Sequence, residues 1–186
     1  MKTITEILAE HYSKQDFPNF EYFACSSKAF GLKVEDYFAQ TLGLTKGTDQ
    51  FHDLRLNEIK LESKAVRALD KNIDHYVLPE KAVSIGSKAK FDRNIQQVKS
   101  DHFDFLLVAV VYKNAIETYI FPNNIFYYKG DNPVTNGIYL SGQHKGNERE
   151  GQFTLTNKKN LKVCSKYKVD LNSITDLKIF LQGLVT

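Results

Sequence analysis

The amino-acid sequence predicts an α/β domain in which a central mixed β-sheet is flanked by α-helices. Two features predict strands: a charged hairpin that begins near Phe51, and the apolar run "FDFLLVAVVY" followed, after the turn "KN", by "AIETYIFP". A third feature, four apolar residues at helical spacing, predicts a helix packed against the sheet: Phe30, Val34, Phe38 and Leu42. A chain of 186 residues is most simply one domain, and we expect a single domain over residues 1–186.

Helical patterns occur at four places along the chain. The N-terminal segment repeats apolar residues as an amphipathic helix does, at Ile4, Ile7, Leu8 and Tyr12. The helix that begins before Phe30 should end near Gly43, because glycine readily takes the left-handed conformation that closes many helices. A third helix is expected over Asp92 to Lys99, and the tail from Leu171 is also compatible with a helix.

The run from Phe103 to Tyr112 is almost wholly apolar, as expected for a strand buried on both faces, so we place it at the centre of the sheet. It is too short to cross a bilayer as a helix and carries Asp104. Glu6 and Glu10 interrupt any signal-peptide core. We therefore expect a cytoplasmic protein without a membrane partner.

Charge is unevenly distributed along the chain. Between Lys129 and Val169 there are eight Lys and Arg against three acidic residues, a local balance of +5 in a chain of net charge +3. Such a region either attracts a polyanion or forms an ordinary solvated basic surface. Cys25 and Cys164 lie far apart without a second cysteine or a histidine pair nearby, so neither a zinc site nor a disulfide framework is expected.

The predicted hairpin concentrates charges of both signs. If Asn57 and Glu58 form a two-residue turn, Asp53 lies directly across from Glu62, and facing side chains in such pairs come within about 5 Å. The lysine two residues after Glu62, Lys64, then projects from the same face of its strand. Two carboxylates placed in this way can share one metal ion, and a hard cation such as Mg²⁺ suits them.

The triplet of an acid, any residue and a lysine carries no information by itself. Composition alone predicts about three such triplets that end in a basic residue, and the chain has three that end in lysine, at Glu58, Glu62 and Asp176. Glu58 would lie in the turn, and no strand pair leads into Asp176, so Glu62 and Lys64 are the predicted pair. The alternative is a solvent-facing hairpin with cross-strand ion pairs, in which Lys60 and Lys64 flank Glu62.

The stretch "DLRLNEIKLESKAVRA" resembles the signature of the PD-(D/E)XK nucleases, in which an aspartate on one strand precedes Glu-any-Lys on the next. A helix with Glu35 precedes it, and a helix with glutamines ("NIQQVKSD") and a strand pair follow. The resemblance spans roughly Phe30 to Pro122 and is greatest to small type II restriction endonucleases. It implies a restriction-endonuclease-like catalytic core at about 28–122, with a DNA-recognition region at about 129–169.

Residue by residue, the resemblance assigns Asp53 and Glu62 to the metal, Lys64 to the nucleophile and phosphate, and the backbone carbonyl of Ser63 to a further metal ligand. Glu35 is a weaker candidate for a second metal or water contact. The implied cofactor is Mg²⁺, which Mn²⁺ can replace, and the implied catalytic residues are Asp53, Glu62 and Lys64. His52 precedes Asp53 where the family has proline.

The implied activity is sequence-specific hydrolysis of double-stranded DNA that leaves 5′-phosphates. Because one small chain offers one active site, we expect a homodimer on a palindromic site, with a companion DNA methyltransferase in the cell that is not a subunit. Two alternatives stay open: a structure-specific or repair nuclease such as a junction resolvase, and a non-catalytic DNA-binding module with the same fold.

Sequence recognition is expected in the polar loop "SGQHKGNEREGQ" and the basic stretch after it. Amide and basic side chains can reach base edges, while lysines more readily hold phosphates. The candidate base readers are Gln143, His144, Lys145, Asn147 and Arg149, and the candidate phosphate contacts are Lys158, Lys159 and Lys162. An ordinary polar surface loop is the competing interpretation. Motifs of hydrolase triads, phosphate loops and dinucleotide sites (GxSxG, GxxxxGK[ST] and GxGxxG) do not occur in the sequence.

Overall fold

The computed structural model describes residues 15–47, 52–69, 83–84, 94–142, 149–155 and 158–170, together with Glu6, Ala9, Glu10 and Leu181. Its helices are α1 (Phe20–Phe23), α2 (Ser27–Leu42) and α3 (Lys158–Cys164), and three 3-10 turns lie at Ser100–His102, Asn123–Ile125 and Ser165–Tyr167. Its strands are β1 (Thr45–Lys46), β2 (Leu54–Leu56), β3 (Ile59–Leu69), β4 (Val83–Ser84), β5 (Asn94–Val98), β6 (Phe105–Val111), β7 (Ile116–Pro122), β8 (Phe126–Tyr127), β9 (Ile138–Tyr139), β10 (Gly151–Thr154) and β11 (Lys168–Val169).

The main sheet has the strand order β1-β2-β3-β6-β7-β11, and β4 pairs with the end of β3. β3 and β6 are parallel, in register from Leu61↔Phe105 to Arg67↔Val111. The other pairings between described strands of this sheet are antiparallel. The sheet is therefore mixed, which confirms the predicted α/β class with a central mixed sheet. Two small ribbons lie apart from it, the antiparallel pair β5–β10 and the parallel pair β8–β9.

Helix α2 has the boundaries that its sequence predicts. The Ser26 side chain accepts a hydrogen bond from the Ala29 N–H (3.3 Å) and caps its first turn. Gly43 follows its last residue with φ 61°, the left-handed conformation that a side chain would strain. The predicted apolar stripe is buried, and it packs against residues of β2, β3 and β6 in one hydrophobic core.

All seven residues of β6 are buried, because a separate core covers each face of this strand. Phe105, Leu107, Ala109 and Val111 lie in the core that includes α2. Leu106, Val108 and Val110 lie in a second core, which residues of β5, β7, β10 and α3 complete. The prediction of a doubly buried central strand is confirmed.

The prediction of a helix over Asp92 to Lys99 is wrong for the residues that the structure describes. Asn94–Val98 is strand β5, paired antiparallel with β10. The buried residues Ile95 and Val98 are three apart, which imitates a helical repeat. An irregularity in the pairing of β5 with β10, described below, produces this spacing in a strand.

The predicted tail helix from Leu171 lies outside the described residues, except for Leu181, which is helical and buried. Of the predicted N-terminal helix, only Glu6, Ala9 and Glu10 are described, and these are helical and exposed. Both cysteines are free thiols. Within the described part of the chain, no helix is long and apolar enough to cross a membrane.

Candidate functional site

The hairpin formed by β2 and β3 has the register that its turn predicts. Leu54 pairs with Leu61, Arg55 with Lys60, and Leu56 with Ile59. Asn57 starts the turn with φ 54°, a conformation that asparagine tolerates better than most residues. The register prediction is therefore confirmed as far as Leu54, but the predicted pairing of Asp53 with Glu62 is wrong, because the ladder ends at Leu54.

Asp53 lies just beyond the last pair of this hairpin. Its N–H donates to the Leu61 carbonyl (3.2 Å), and its own carbonyl accepts from the Gly47 N–H (2.8 Å). Leu61 already pairs with Leu54, so the backbone of Asp53 is displaced from the regular ladder by about one residue. Such a displacement re-aims a side chain, and here it directs the Asp53 carboxylate toward the backbone of β3.

The Asp53 carboxylate is held by the strand that carries Glu62 and Lys64. Asp53 Oδ2 accepts a hydrogen bond from the Ser63 N–H at 2.8 Å. In an extended strand the N–H and C=O of one residue point to the same edge, so the Ser63 carbonyl also points toward β2. Ser63 thus brings an anchoring N–H and a possible ligand oxygen to the edge where Asp53 lies.

Glu62 and Lys64 form an ion pair two residues apart on β3. Lys64 Nζ donates to Glu62 Oε1 at 2.6 Å, with 15% of the Glu62 side chain and 23% of the Lys64 side chain exposed. Their parallel neighbours on β6 are the buried residues Leu106 and Val108. The apolar surroundings restrict the access of water to the pair, so the attraction between the two charges is screened less than at an open surface.

Burial raises the pKa of Glu62 above its ordinary value, and the negative charge of Asp53 raises it further. The positive charges of Lys64 and Lys99 act in the opposite direction. A carboxylate that is partly desolvated beside another carboxylate is a good place for a cation, because a cation relieves both penalties.

Glu35 lies on α2, one position on from the buried Val34, and is near enough to Asp53 for the two charges to interact. Burial raises its pKa above the ordinary value, the charge of Asp53 adds to this, and hydrogen bonding and attraction from Lys46 lower it. Lys46 Nζ lies 3.2 Å from Glu35 Oε2 and 2.9 Å from Asp36 Oδ1. The charge of Asp53 thus raises the pKa of both Glu35 and Glu62.

The oxygen atoms of Asp53, Glu62 and Ser63 are of the type that Mg²⁺ prefers, although they do not form a complete coordination shell of protein atoms. Among the described residues, no group of three or more His, Cys, Asp or Glu side chains is close enough to hold a metal ion. Mg²⁺ commonly uses one or two carboxylates and keeps several waters for its substrate. Asp53, Glu62 and the Ser63 carbonyl offer oxygen donors of that type, and the charge of Asp53 disfavours the ionised form of Glu62, a penalty that a bound cation would relieve.

The structure describes only part of the predicted DNA-reading region. Gln143, His144, Lys145 and Asn147 lie outside the described residues. Helix α3 contains Lys158, Lys159 and Lys162. The structure does not describe the side chains of Lys158 and Lys159, and Lys162 is exposed near the end of the helix. Their predicted contacts with DNA stay predictions.

Arg149 makes a set of ion pairs that sequence reasoning did not foresee. Its guanidinium binds both carboxylate oxygens of Asp101 (2.9 Å each) and of Asp131 (3.0 Å each), and lies over the Tyr128 ring, 4.3 Å from its centroid. To contact a base, Arg149 would have to break its ion pairs with Asp101 and Asp131. Its partners are 48 and 18 residues away in sequence, so no local pattern could have indicated them.

Lys99 is a residue near the site that the sequence did not indicate. It follows β5, its Nζ lies 3.7 Å from Glu150 Oε2, and its charge lowers the pKa of Glu62. The only local signal was a basic residue after the pair of glutamines in "NIQQVK".

Comparisons of the chain with protein-family models, with curated proteins and with solved structures found no match.

Proposed function

We propose that this protein is a Mg²⁺-dependent endonuclease of the PD-(D/E)XK class that cuts double-stranded DNA in the manner of a type II restriction enzyme and leaves 5′-phosphates. One relationship carries the proposal: the Ser63 N–H holds the Asp53 carboxylate beside the strand on which Glu62 and Lys64 form their ion pair. The resemblance of "DLRLNEIKLESKAVRA" to the family signature supports it.

Asp53 and Glu62 would hold the metal with the Ser63 carbonyl. When bound, Mg²⁺ supplies Lewis acidity toward the phosphate and lowers the pKa of a bound water. The Asp53 hydrogen bond to Ser63 uses Oδ2, so it fixes the carboxylate without using Oδ1. This bond removes the freedom of the Asp53 side chain to turn away, which lowers the entropy lost when ligands assemble.

Lys64 is the residue that acts on the phosphate. Its ammonium can pass from Glu62 to a phosphate oxygen, where it donates a hydrogen bond to the charge that develops during attack by water. Until the substrate binds, the Glu62 carboxylate holds the Lys64 ammonium in place, with Lys64 Nζ 2.6 Å from Glu62 Oε1. The flanking Leu106 and Val108 limit the screening of this interaction by solvent.

Incubation of the purified chain with long phage DNA and Mg²⁺ tests the proposal. We expect discrete fragments with 5′-phosphate ends, which disappear with EDTA and in the Lys64→Ala variant. Lys60→Ala is the matched control, because Lys60 is an exposed lysine two residues before Glu62 on the same strand.

The same substrates separate the alternatives. A junction resolvase would leave linear duplex DNA intact and cut branched DNA. A non-catalytic module would bind DNA equally well with and without EDTA and would cut neither substrate. Either result would overturn the restriction-type proposal. Because one small chain offers one active site, cutting both strands at a palindrome would most simply use two chains, and we expect a dimer on DNA by sedimentation.

A further inference from the structure

The ribbon formed by β5 and β10 contains a β-bulge at its centre. Val98 pairs with Gly151 and Ile95 pairs with Phe153, and the register shifts between these two pairs. Between them β5 contributes two residues, Gln96 and Gln97, while β10 contributes one, Gln152. Three glutamines are therefore opposed across a single bulge.

The bulge turns both glutamines of β5 outward. In a regular strand, neighbouring residues point to opposite faces, yet Gln96 and Gln97 are both exposed while Ile95 and Val98 are buried in the core. Gln97 has φ 57°, a left-handed conformation that is uncommon for a residue other than glycine. Bulges of this kind are frequent next to active sites, where they re-aim side chains.

The three glutamines line one polar cavity of about 240 Å³, together with Ser141, Gly142, Glu150 and Gly151. We refer to this cavity as the amide groove. Asn94 Nδ2 donates to Gln152 Oε1 at 3.2 Å, which fixes the orientation of the Gln152 amide. Among the residues that the structure describes, the lining of the groove consists mainly of hydrogen-bonding side chains.

Lys99 connects the amide groove with the candidate catalytic carboxylates. Its ammonium lies 3.7 Å from Glu150, a buried residue of the groove, and its charge also acts on Glu62. β5 is in contact with β3, the strand that carries Glu62 and Lys64. Lys99 therefore interacts with both the groove and Glu62, and we expect a DNA strand whose phosphate lies at the carboxylates to bring base edges near the groove.

We propose that the amide groove reads adenine in the DNA substrate, with Gln96 as its principal specificity-determining residue. The inference rests on the proposed function for its choice of ligand. A glutamine amide both donates and accepts, which matches N7 and N6 of adenine in the major groove, and a two-stranded ribbon fits into that groove. The amide groups of the described lining supply both donors and acceptors, as base edges require, and base edges rather than phosphates carry the sequence information.

Selection of bound sequences from a randomised duplex library tests the inference. The parent is the full chain with Lys64→Ala, so that the DNA stays intact, and it should enrich a sequence with at least one fixed adenine. Adding Gln96→Ala should reduce the preference at that position about 10-fold or more, and Gln96→Glu, which only accepts hydrogen bonds, should move the preference toward cytosine. Gln40→Ala, at an exposed glutamine of α2, should change nothing.

Retention of the same sequence preference by Gln96→Ala would overturn the inference, as would a parent that selects no sequence or one without adenine. The melting temperature and near-UV circular dichroism of Gln96→Ala should match those of the parent, which separates lost reading from lost folding. If the unmodified chain fails to cut the enriched sequence, the nuclease proposal fails while the inference stands. If the unmodified chain cuts a specific site, and Gln96→Ala introduced without Lys64→Ala cuts that site equally well, the inference fails while the nuclease proposal stands.

Discussion

The Ser63 N–H donates a 2.8 Å hydrogen bond to the Asp53 carboxylate, although the regular pairing of their strands has already ended at Leu54. The bond couples the position of the first candidate metal ligand to the strand that carries the second, Glu62. A side chain anchored in this way is preorganised, so less of the binding energy of a cation is lost in ordering its ligands.

Mg²⁺ should stabilise the folded protein through these carboxylates. A ligand that binds only the folded state at about 100 times its dissociation constant adds about 2.7 kcal/mol, which corresponds to an increase of about 5 °C or more in Tm for a chain of this size. The increase should be lost in Asp53→Asn and in Glu62→Gln. Glu58→Gln, in the turn of the same hairpin, should keep it. Equal increases in all four proteins, measured by differential scanning fluorimetry, would contradict the assigned ligands.

Lys64 should affect the chemical step more than DNA binding. Loss of one charged donor to a developing oxyanion typically slows a reaction by about 10²- to 10³-fold, and we expect this for Lys64→Ala in single-turnover cleavage. Lys64→Arg should recover only part of the rate, because a planar guanidinium does not replace a compact ammonium. Lys60→Ala should cut at the rate of the unmodified chain. A Lys64→Ala defect confined to DNA affinity would remove the lysine from the reaction.

The packing of α2 on the sheet should contribute strongly to the free energy of unfolding, because α2 supplies several residues of the core that it shares with β2, β3 and β6. Phe38 is fully buried in that core, so Phe38→Ala should lower the free energy of unfolding by about 3–5 kcal/mol in urea titrations. Leu32 lies on the same helix and is 49% exposed, and Leu32→Ala should change the stability by less than about 0.5 kcal/mol. Similar effects of the two substitutions would mean that α2 does not pack as described.

Arg149 should contribute to stability in a pH-dependent way. Its hydrogen bonds hold the pKa of Asp101 below the ordinary value of 3.8. The pKa of Asp131 is lowered first by the Tyr128 N–H and also by Arg149. Because both folded-state values are depressed, the contribution is complete above the ordinary pKa and is lost as the pH falls through the lower, folded values.

Arg149→Gln should therefore lower Tm by about 2–4 °C near pH 6, and the deficit should shrink below about pH 3.8. Lys166→Gln, at an exposed lysine of the turn Ser165–Tyr167, is the control and should have no such deficit. A deficit of equal size in acid and at neutral pH would exclude the two ion pairs as its cause.

Sequence patterns predicted those parts of the protein whose determinants are local. The stripe from Phe30 to Leu42 specified α2, and the turn at Asn57 and Glu58 specified the register of the hairpin as far as Leu54. The displacement of Asp53, which bonds to Leu61 and Ser63 rather than pairing with Glu62, has no signal in the turn. β5 was predicted as a helix, because the bulge opposite Gln152 spaces Ile95 and Val98 as a helix would. The partners of Arg149 and Lys99 could not be predicted, since each ion pair joins segments that are distant along the chain.

The parallel pairing of β3 with β6 also has a kinetic consequence. Leu61 and Phe105 are partners 44 residues apart in sequence, whereas the hairpin that holds Asp53 against Ser63 closes over 10 residues. Hairpins form in about 1–10 μs, and distant parallel strands associate far more slowly because a long loop must first close. During folding, the hydrogen bond between Asp53 and Ser63 should therefore form early, while Glu62 stays hydrated until β6 pairs with β3. In pulse-labelling hydrogen exchange, the Ser63 amide should become protected before those amides of β6 that point toward β3, whereas the β6 amides bonded to β7 belong to a second local hairpin.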